Sequence, residues 1–240
     1  MGQIVLDREV RMIKISQYAR KRKEQRLLIL DKSGNLSISR LQSYNKHKPE
    51  GTSSGTLIHK LGTYVNTFSW NDHCDSVAYL ADSKLVVCYY PNAPFIDIDL
   101  LEKTKETQDA SKYENISEII SFCGAQLTVR KQQDNCILYT NLNQDVSHLF
   151  QNAMVKKWRE SLRLCRLLEN SFLWSTVACL ALQYEELETL ELALSAMKLV
   201  DKMEKIRGIR LMKDGEVINS MRSFHSPRFV TYYTYSSLLF

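Results

Sequence analysis

The residues with the greatest capacity for chemistry lie in one short turn, where His73 and Cys74 stand between Asp72 and Asp75. A thiol, an imidazole and two carboxylates are the residue types of a nucleophilic or metal-binding site. The same polar residues also suit a turn that joins two strands. Because the five histidines of the chain are scattered without metal-ligand spacing, we interpret this turn as structural.

The cysteines of the chain do not form a recognisable site. No CxxC pair and no zinc-finger spacing occurs among them. We expect them to be small buried hydrophobic residues, since most fall in strand-like runs or at apolar helical positions. The six are Cys74, Cys88, Cys123, Cys136, Cys165 and Cys179.

The common catalytic and nucleotide-binding motifs are absent from the sequence. It contains no GxxxxGK[ST], no GxGxxG after a strand, no GxSxG and no HExxH. We therefore predict no catalytic residues, no cofactor-binding residues and no metal ligands. The same absence predicts no cofactor, no small-molecule substrate and no enzymatic activity.

Two aspartates, Asp97 and Asp99, alternate within the strand-like run 95–99. Side chains two positions apart in a strand project to the same face, so both carboxylates are expected side by side. No other group converges on them in the sequence. We interpret the pair as polar residues that keep an edge strand soluble.

Residues 20–23, Arg-Lys-Arg-Lys, supply much of the formal net charge of +5. Such a cluster is typical of a phosphate-binding or nuclear-import patch, and it motivates a nucleic-acid-binding module as our third functional hypothesis. The cluster lacks the interleaved aromatic residues of most nucleic-acid sites. We favour a solvated hairpin loop and predict no nucleic-acid partner.

Short strand-like runs with turn residues between them fill the first 142 residues. Four such strands recur with a period of about 50 residues, which is typical of the blades of a WD40-like β-propeller. We predict about three blades, although no Gly-His begins a blade and no Trp-Asp ends one. The predicted strands are 12–15, 26–31, 35–41 and 56–61, then 64–70, 76–80, 84–90 and 95–99, then 119–123, 126–130 and 136–142.

From residue 143 onward the apolar residues follow a helical period. Val146, Leu149 and Phe150 begin an amphipathic stripe, and three further helices follow. We predict these at 158–168, at 172–183 and from residue 185 or 186 to about 205. Consecutive helices with facing stripes predict antiparallel hairpins of a tetratricopeptide-like (TPR-like) α-helical solenoid.

The fold class is therefore α+β by segments: a partial WD40-like β-propeller of about three blades, then the solenoid hairpins. We place the propeller blades at 1–142, the solenoid at 143–207 and an atypical, disordered or non-native tail at 208–240. No apolar run approaches the roughly 20 residues of a membrane span, so we predict no membrane insertion. A cytoplasmic location is the default expectation.

Four segments make the prediction more specific: KLGTYVNTFSWND, VVCYYPNAPFIDIDLL, ISFCGAQLTVR and KKWRESLRLCRLLENSFLW. In sequence and in order they resemble the WD-repeat subunits of intraflagellar transport complex B. The resemblance covers about residues 9 to 206. It implies a non-enzymatic scaffold with β-propellers followed by an α-solenoid, which supports transport along the axoneme and cilium assembly.

The resemblance also implies partners and a location. The partners are other intraflagellar transport complex B subunits, with self-association, and the location is the cilium or flagellum, the basal body and the cytoplasm. The family has two propellers, so we interpret the chain as a fragment, a truncated isoform or an incomplete gene model. The alternative hypothesis is a propeller–solenoid subunit of a vesicle coat or another trafficking complex.

Overall fold

The computed structural model describes residues 8–17, 25–40, 58–113 and 116–211. These residues divide into two compact units. One unit contains the strands of three sheets, and the other contains the main helices together with residues 92–105. The predictions for the basic cluster at 20–23 and for the tail beyond residue 211 lie outside the described residues.

The first sheet has four strands in the order β1-β2-β3-β4, and its neighbouring strands are antiparallel. Its core is β2, where Leu28 and Leu30 are completely buried. Gly34 forms the predicted turn between β2 and β3 with a φ of +79°, which favours glycine. The strands are β1 (Val10–Ile15), β2 (Arg26–Asp31), β3 (Leu36–Arg40) and β4 (Ile58–Gly62).

The second sheet has four strands in the order β5-β6-β7-β8. They are β5 (Val65–Trp70), β6 (Val77–Ala81), β7 (Lys84–Cys88) and β8 (Lys105–Asp109). The predicted strand at 95–99 is wrong. Those residues belong to a 3₁₀ turn, Ala93–Phe95, and to the start of helix α1 (Ile98–Lys103), because the Asp97 side chain accepts the Asp99 N–H and caps that helix.

The third sheet has three strands in the order β9-β10-β11. They are β9 (Ile116–Cys123), β10 (Gln126–Lys131) and β11 (Ile137–Asn141). Both pairings are antiparallel, and β9 packs against β5 and β6 of the second sheet. The predicted order of strands is confirmed here, with Gly124 in the turn that joins β9 to β10 at a φ of +58°.

Contacts between β1 and β5 join the first sheet to the second. The Trp70 indole donates to the Lys14 carbonyl at 3.2 Å. In return, the Lys14 ammonium donates to the Phe68 carbonyl at 2.8 Å and lies 5.3 Å from the centre of the Phe68 ring. This exchange of polar contacts holds the first strands of the two sheets side by side.

Up to residue 211, where the described part of the chain ends, five helices follow the third sheet: α2 (Gln144–Met154), α3 (Trp158–Leu168), α4 (Ser171–Gln183), α5 (Leu187–Ala196) and α6 (Val200–Leu211). The prediction of one long fourth helix is wrong, because α5 ends before Lys198 and α6 begins after it. Lys198 has a φ of +60°. Its N–H donates to the Ser195 carbonyl, and the Leu199 N–H donates to the Leu194 carbonyl, both at 3.0 Å, as in a Schellman motif.

The helical unit has α4 at its centre. This helix is buried nearly all round, with Leu173, Val177 and Cys179 fully inaccessible, as its apolar sequence predicts. Helix α4 packs against α5 and α1, and α5 packs against α6. The Ser175 hydroxyl fastens α1 to α4 by donating to the Lys103 carbonyl at 2.6 Å.

Candidate interaction surfaces

The turn with the histidine and cysteine is organised by a residue beside them, Asn71. The Asn71 amide donates to the Gly124 carbonyl at 2.7 Å. Its side-chain oxygen accepts the N–H of Gly124 at 3.2 Å and that of His73 at 2.8 Å. Asn71 is almost completely buried, so this single side chain joins the β5–β6 turn to the β9–β10 turn. Its sequence signal is an asparagine at the end of an apolar strand, where its side chain can accept the N–H two residues later.

The geometry of this turn does not favour nucleophilic chemistry at Cys74. The thiol is buried and lies 3.1 Å from the Ser76 hydroxyl. Burial raises the pKa of Cys74 to about 12, so the sulfur stays protonated at neutral pH, whereas the thiolate is the reactive form. His73 contacts a different sulfur, that of Cys123, at 3.4 Å.

The expectation of buried cysteines is wrong for Cys123 and Cys136, which are both exposed. Cys123 ends β9 at the turn to β10, and Cys136 precedes the edge strand β11. Both positions belong to the three-stranded sheet, which has a solvent-facing side. A hydrogen bond and the charge of Asp134 raise the pKa of Cys136.

We predict that iodoacetamide at pH 8 alkylates native Cys123 and Cys136 and leaves the four buried cysteines protected. Cys136 reacts more slowly than Cys123, because Asp134 disfavours its thiolate. The substitution Asp134→Asn keeps an acceptor for the Cys136 N–H and speeds alkylation of Cys136 several-fold. Peptide mass spectrometry of timed samples measures both rates. Equal protection of all six thiols would contradict the exposure of the third sheet.

The two aspartates of the predicted edge strand form an ion cluster within the helical unit instead. Lys202 of α6 donates to both the Asp97 and the Asp99 carboxylates, the latter at 2.8 Å. The Asp97 carboxylate is only 1% exposed, whereas that of Asp99 faces solvent. Lys202 therefore connects helix α6 to the capped start of α1, and no sequence pattern near the two aspartates indicates this distant cation.

The solvent-facing side of the third sheet carries both charged and apolar side chains. Glu118 and Arg130 form an ion pair at 3.2 Å on neighbouring strands, and Thr128 of the central strand lies opposite Tyr139. The edge strand adds exposed apolar area, with Ile137 and Tyr139 accessible to 53% and 65%. Such a surface can take a partner through both apolar and polar contacts.

The helical unit carries a groove of about 430 Å³. Its walls come from the end of α3, the start of α4 and the end of α5, and Trp174 and Met197 contribute the apolar part of the lining. Next to Arg166 of the lining, Leu167 is 78% exposed. The lining residues are Arg166, Glu169, Ser171, Trp174, Ala196 and Met197.

The described ranges, from residue 8 to residue 211 with their gaps, contain neither a metal-binding cluster nor a membrane-spanning helix. Within them, no three side chains of His, Cys, Asp or Glu are arranged to hold a metal ion. Over the same ranges, no helix has the length and apolar character required to cross a bilayer.

Comparison with known proteins gives a consistent match. Residues 1–144 match the family model described as the IFT80 second beta-propeller. The chain is 33% identical over 191 residues to the intraflagellar transport protein 80 homolog of Rattus norvegicus, across 80% of this chain. The Mus musculus homolog is 30% identical over 187 residues, across 78% of this chain. The chain spans 23% of the length of either relative.

Proposed function

The chain belongs to the family described as the IFT80 second beta-propeller, and from that premise we propose that it acts as a non-enzymatic scaffold in intraflagellar transport. The observation that carries the proposal is the extent of the similarity. It covers 191 residues in the rat relative, more than the 144 residues of the propeller match, so it continues into the helices.

The polar clusters support a scaffold role. Asn71 connects two turns, Lys202 connects two helices, and Cys74 is held as a protonated thiol by burial. The hydrogen bonds of each of these groups stabilise the fold. The groups that remain exposed, on the third sheet and along the helical groove, are suited to contacts with proteins.

The finer features of the role belong to the same proposal. We place the chain in intraflagellar transport complex B, bound to other subunits of that complex and to itself, in the cilium, at the basal body and in the cytoplasm. Residues 1–142 act as propeller blades, and residues 143–207 act as TPR-like hairpins of a solenoid. Packing of α4 against α5 and of α5 against α6 supports that last assignment.

Affinity purification from ciliated cells tests the proposal. The full chain, expressed with a tag, should recover complex B subunits, and nuclease treatment of the extract should leave the recovery unchanged. The tag alone serves as the control. Recovery of vesicle-coat subunits instead, or loss of every partner after nuclease treatment, would contradict a role in intraflagellar transport.

A further inference from the structure

Among the described residues, the third sheet has one strand fewer than each of the first two. In those sheets the third strand is covered by a fourth, so that β4 pairs with β3 and β8 pairs with β7. In the part of the chain that the structure describes, the corresponding edge of β11 pairs with no strand. The chain leaves β11 at Asn141 and enters α2 at Gln144, so the next element along the chain does not cover this edge.

The register of β11 identifies the backbone groups on its open edge. At one end of the ladder the Lys131 N–H donates to the Cys136 carbonyl at 3.0 Å, and at the other end the Leu142 N–H donates to the Ala125 carbonyl at 2.7 Å. Hydrogen-bonded pairs alternate with non-hydrogen-bonded pairs in an antiparallel ladder, and the register between these ends is unbroken. The backbone groups of residues 138 and 140 therefore point toward β10, and those of residues 137, 139 and 141 point outward.

The three residues with outward backbone groups also have exposed side chains. Ile137, Tyr139 and Asn141 are all exposed and share one face of the sheet, because they alternate along the strand. An added strand would thus hydrogen-bond to the outward N–H and C=O groups and contact an apolar side-chain surface at the same time. This combination supplies both affinity and side-chain selectivity in strand addition.

The chemistry of the edge also distinguishes β11 from the fourth strands of the other two sheets. Strand β4 contains Lys60, and β8 contains Lys105, Glu106 and Asp109. Charged side chains on an edge discourage pairing with another chain. Strand β11, with the sequence ILYTN, carries no charge.

We propose that the open edge of β11 is a strand-addition site for an extended segment of a partner protein. The segment is uncharged over its centre and presents β-branched or aromatic side chains beside Ile137 and Tyr139. A basic residue at one end suits Asp134, because hydrogen bonds from Cys136 lower the pKa of the Asp134 carboxyl and keep it anionic. The proposal deepens the binding role above but rests on strand geometry alone, so its failure would leave the transport role standing.

A peptide of alternating threonine and valine, with capped ends, one terminal lysine and a fluorophore, is the probe. Anisotropy titration with the full chain should show saturable binding. Hydrogen exchange should show slower exchange at the amides of Ile137, Tyr139 and Asn141 when the peptide is bound. The same peptide with proline at alternate positions, which lacks the required N–H groups, should not bind.

Three variants distinguish binding at the edge from binding on the sheet face. Tyr139→Pro removes one outward N–H but keeps the hydrogen bonds between β11 and β10. It should lower the affinity for the peptide about tenfold or more. Ile137→Pro, at the first position of the strand, where proline is tolerated, should give the same loss if the first variant unfolds. Thr128→Lys changes a half-buried side chain opposite Tyr139 on the central strand. It leaves the outward backbone groups of β11 unchanged, so binding should stay within about twofold.

Three results would overturn the proposal. One is peptide binding that survives both proline variants. Another is binding that Thr128→Lys abolishes, which would indicate a partner lying over the sheet face. The third is dimerisation of the chain with β11 amides already protected in the absence of peptide, which would assign the edge to a second copy.

Discussion

Replacing Lys202 with methionine should lower the free energy of unfolding of the helical unit by about 3 kcal/mol, the cost typical of breaking a buried ion pair. Methionine retains most of the length of the side chain and removes its charge. The Asp97 carboxylate, which is 1% exposed, is then left without its cation. Urea unfolding of the full chain, followed by helical circular dichroism, measures the loss.

Two further variants separate the ion pair from a general effect on α6. Lys205→Met removes an exposed lysine from the same helix and should change stability by less than about 0.5 kcal/mol. Asp97→Asn keeps a capping side chain, so adding it to Lys202→Met should recover most of the loss. If the double variant were as unstable as the sum of the two single variants, the ion pair would not be the cause.

The same cluster gives the stability of the helical unit a dependence on pH. A hydrogen bond from Lys202 and its positive charge lower the pKa of the Asp99 carboxyl. That contribution is present above the carboxyl's unfolded pKa of about 3.9 and is lost as the pH falls through its folded pKa. Burial disfavours the charged form of Lys202, but hydrogen bonds to Asp97 and Asp99 outweigh it and raise the lysine's pKa. Its contribution is present below about pH 10.4 and is lost at higher pH.

Asn71→Ala should destabilise the sheet unit by roughly 3 kcal/mol, because it removes three hydrogen bonds worth about 1 kcal/mol each. The backbone groups of His73 and Gly124 lose their partner at a joint that is almost completely buried. Urea unfolding monitored through the strands of the unit measures the effect. The hydrogen-exchange rates of the β9 and β10 amides should rise in the same variant, since Gly124 lies between these strands.

Asn66→Ala is the matched control for this prediction, because Asn66 lies on the same strand, β5, with its side chain exposed. It should change stability by less than about 0.5 kcal/mol. A loss of similar size in both variants would mean that β5 is sensitive to asparagine replacement in general. In that case the hydrogen bonds of Asn71 would not explain its effect.

The strands were largely predictable from the sequence because both of their signals, the apolar pattern and the flanking turn residues, are local. Alternating or continuous apolar residues with turn formers at their ends define β2 at the same residues, 26–31, in the sequence and in the structure. The run 95–99 was not predictable in this way. Its alternation of apolar and acidic residues fits a short strand, but Asp97 instead caps a helix that contains Asp99. Both carboxylates meet a lysine about 100 residues later.

The break between α5 and α6 was hidden because the chain lacks the usual stop signals there. Helices commonly end at a glycine in the left-handed conformation, but lysine occupies that position at Lys198. Lys156 after α2 and Glu185 after α4 also adopt the left-handed conformation without being glycine, with φ values of 59° and 60°. The apolar stripe runs through the break, so periodicity alone joins the two helices.

The candidate surfaces were less predictable than the fold, because each depends on contacts between distant segments. The sequence drew attention to His73 and Cys74, whereas the residue that organises the turn is Asn71. The open edge of β11 could be identified only from the strand pairing, since the sequence of β11 resembles that of a covered strand. The groove beside Trp174 likewise requires three helices to be placed together.

Live imaging of the fluorescently tagged full chain in growing cilia tests the central claim most directly. A complex B subunit with a second fluorophore provides the reference. A scaffold of intraflagellar transport should move along the axoneme in both directions together with that subunit. If the chain stayed outside the cilium, or diffused within it while the reference subunit moved processively, a role in intraflagellar transport would be contradicted.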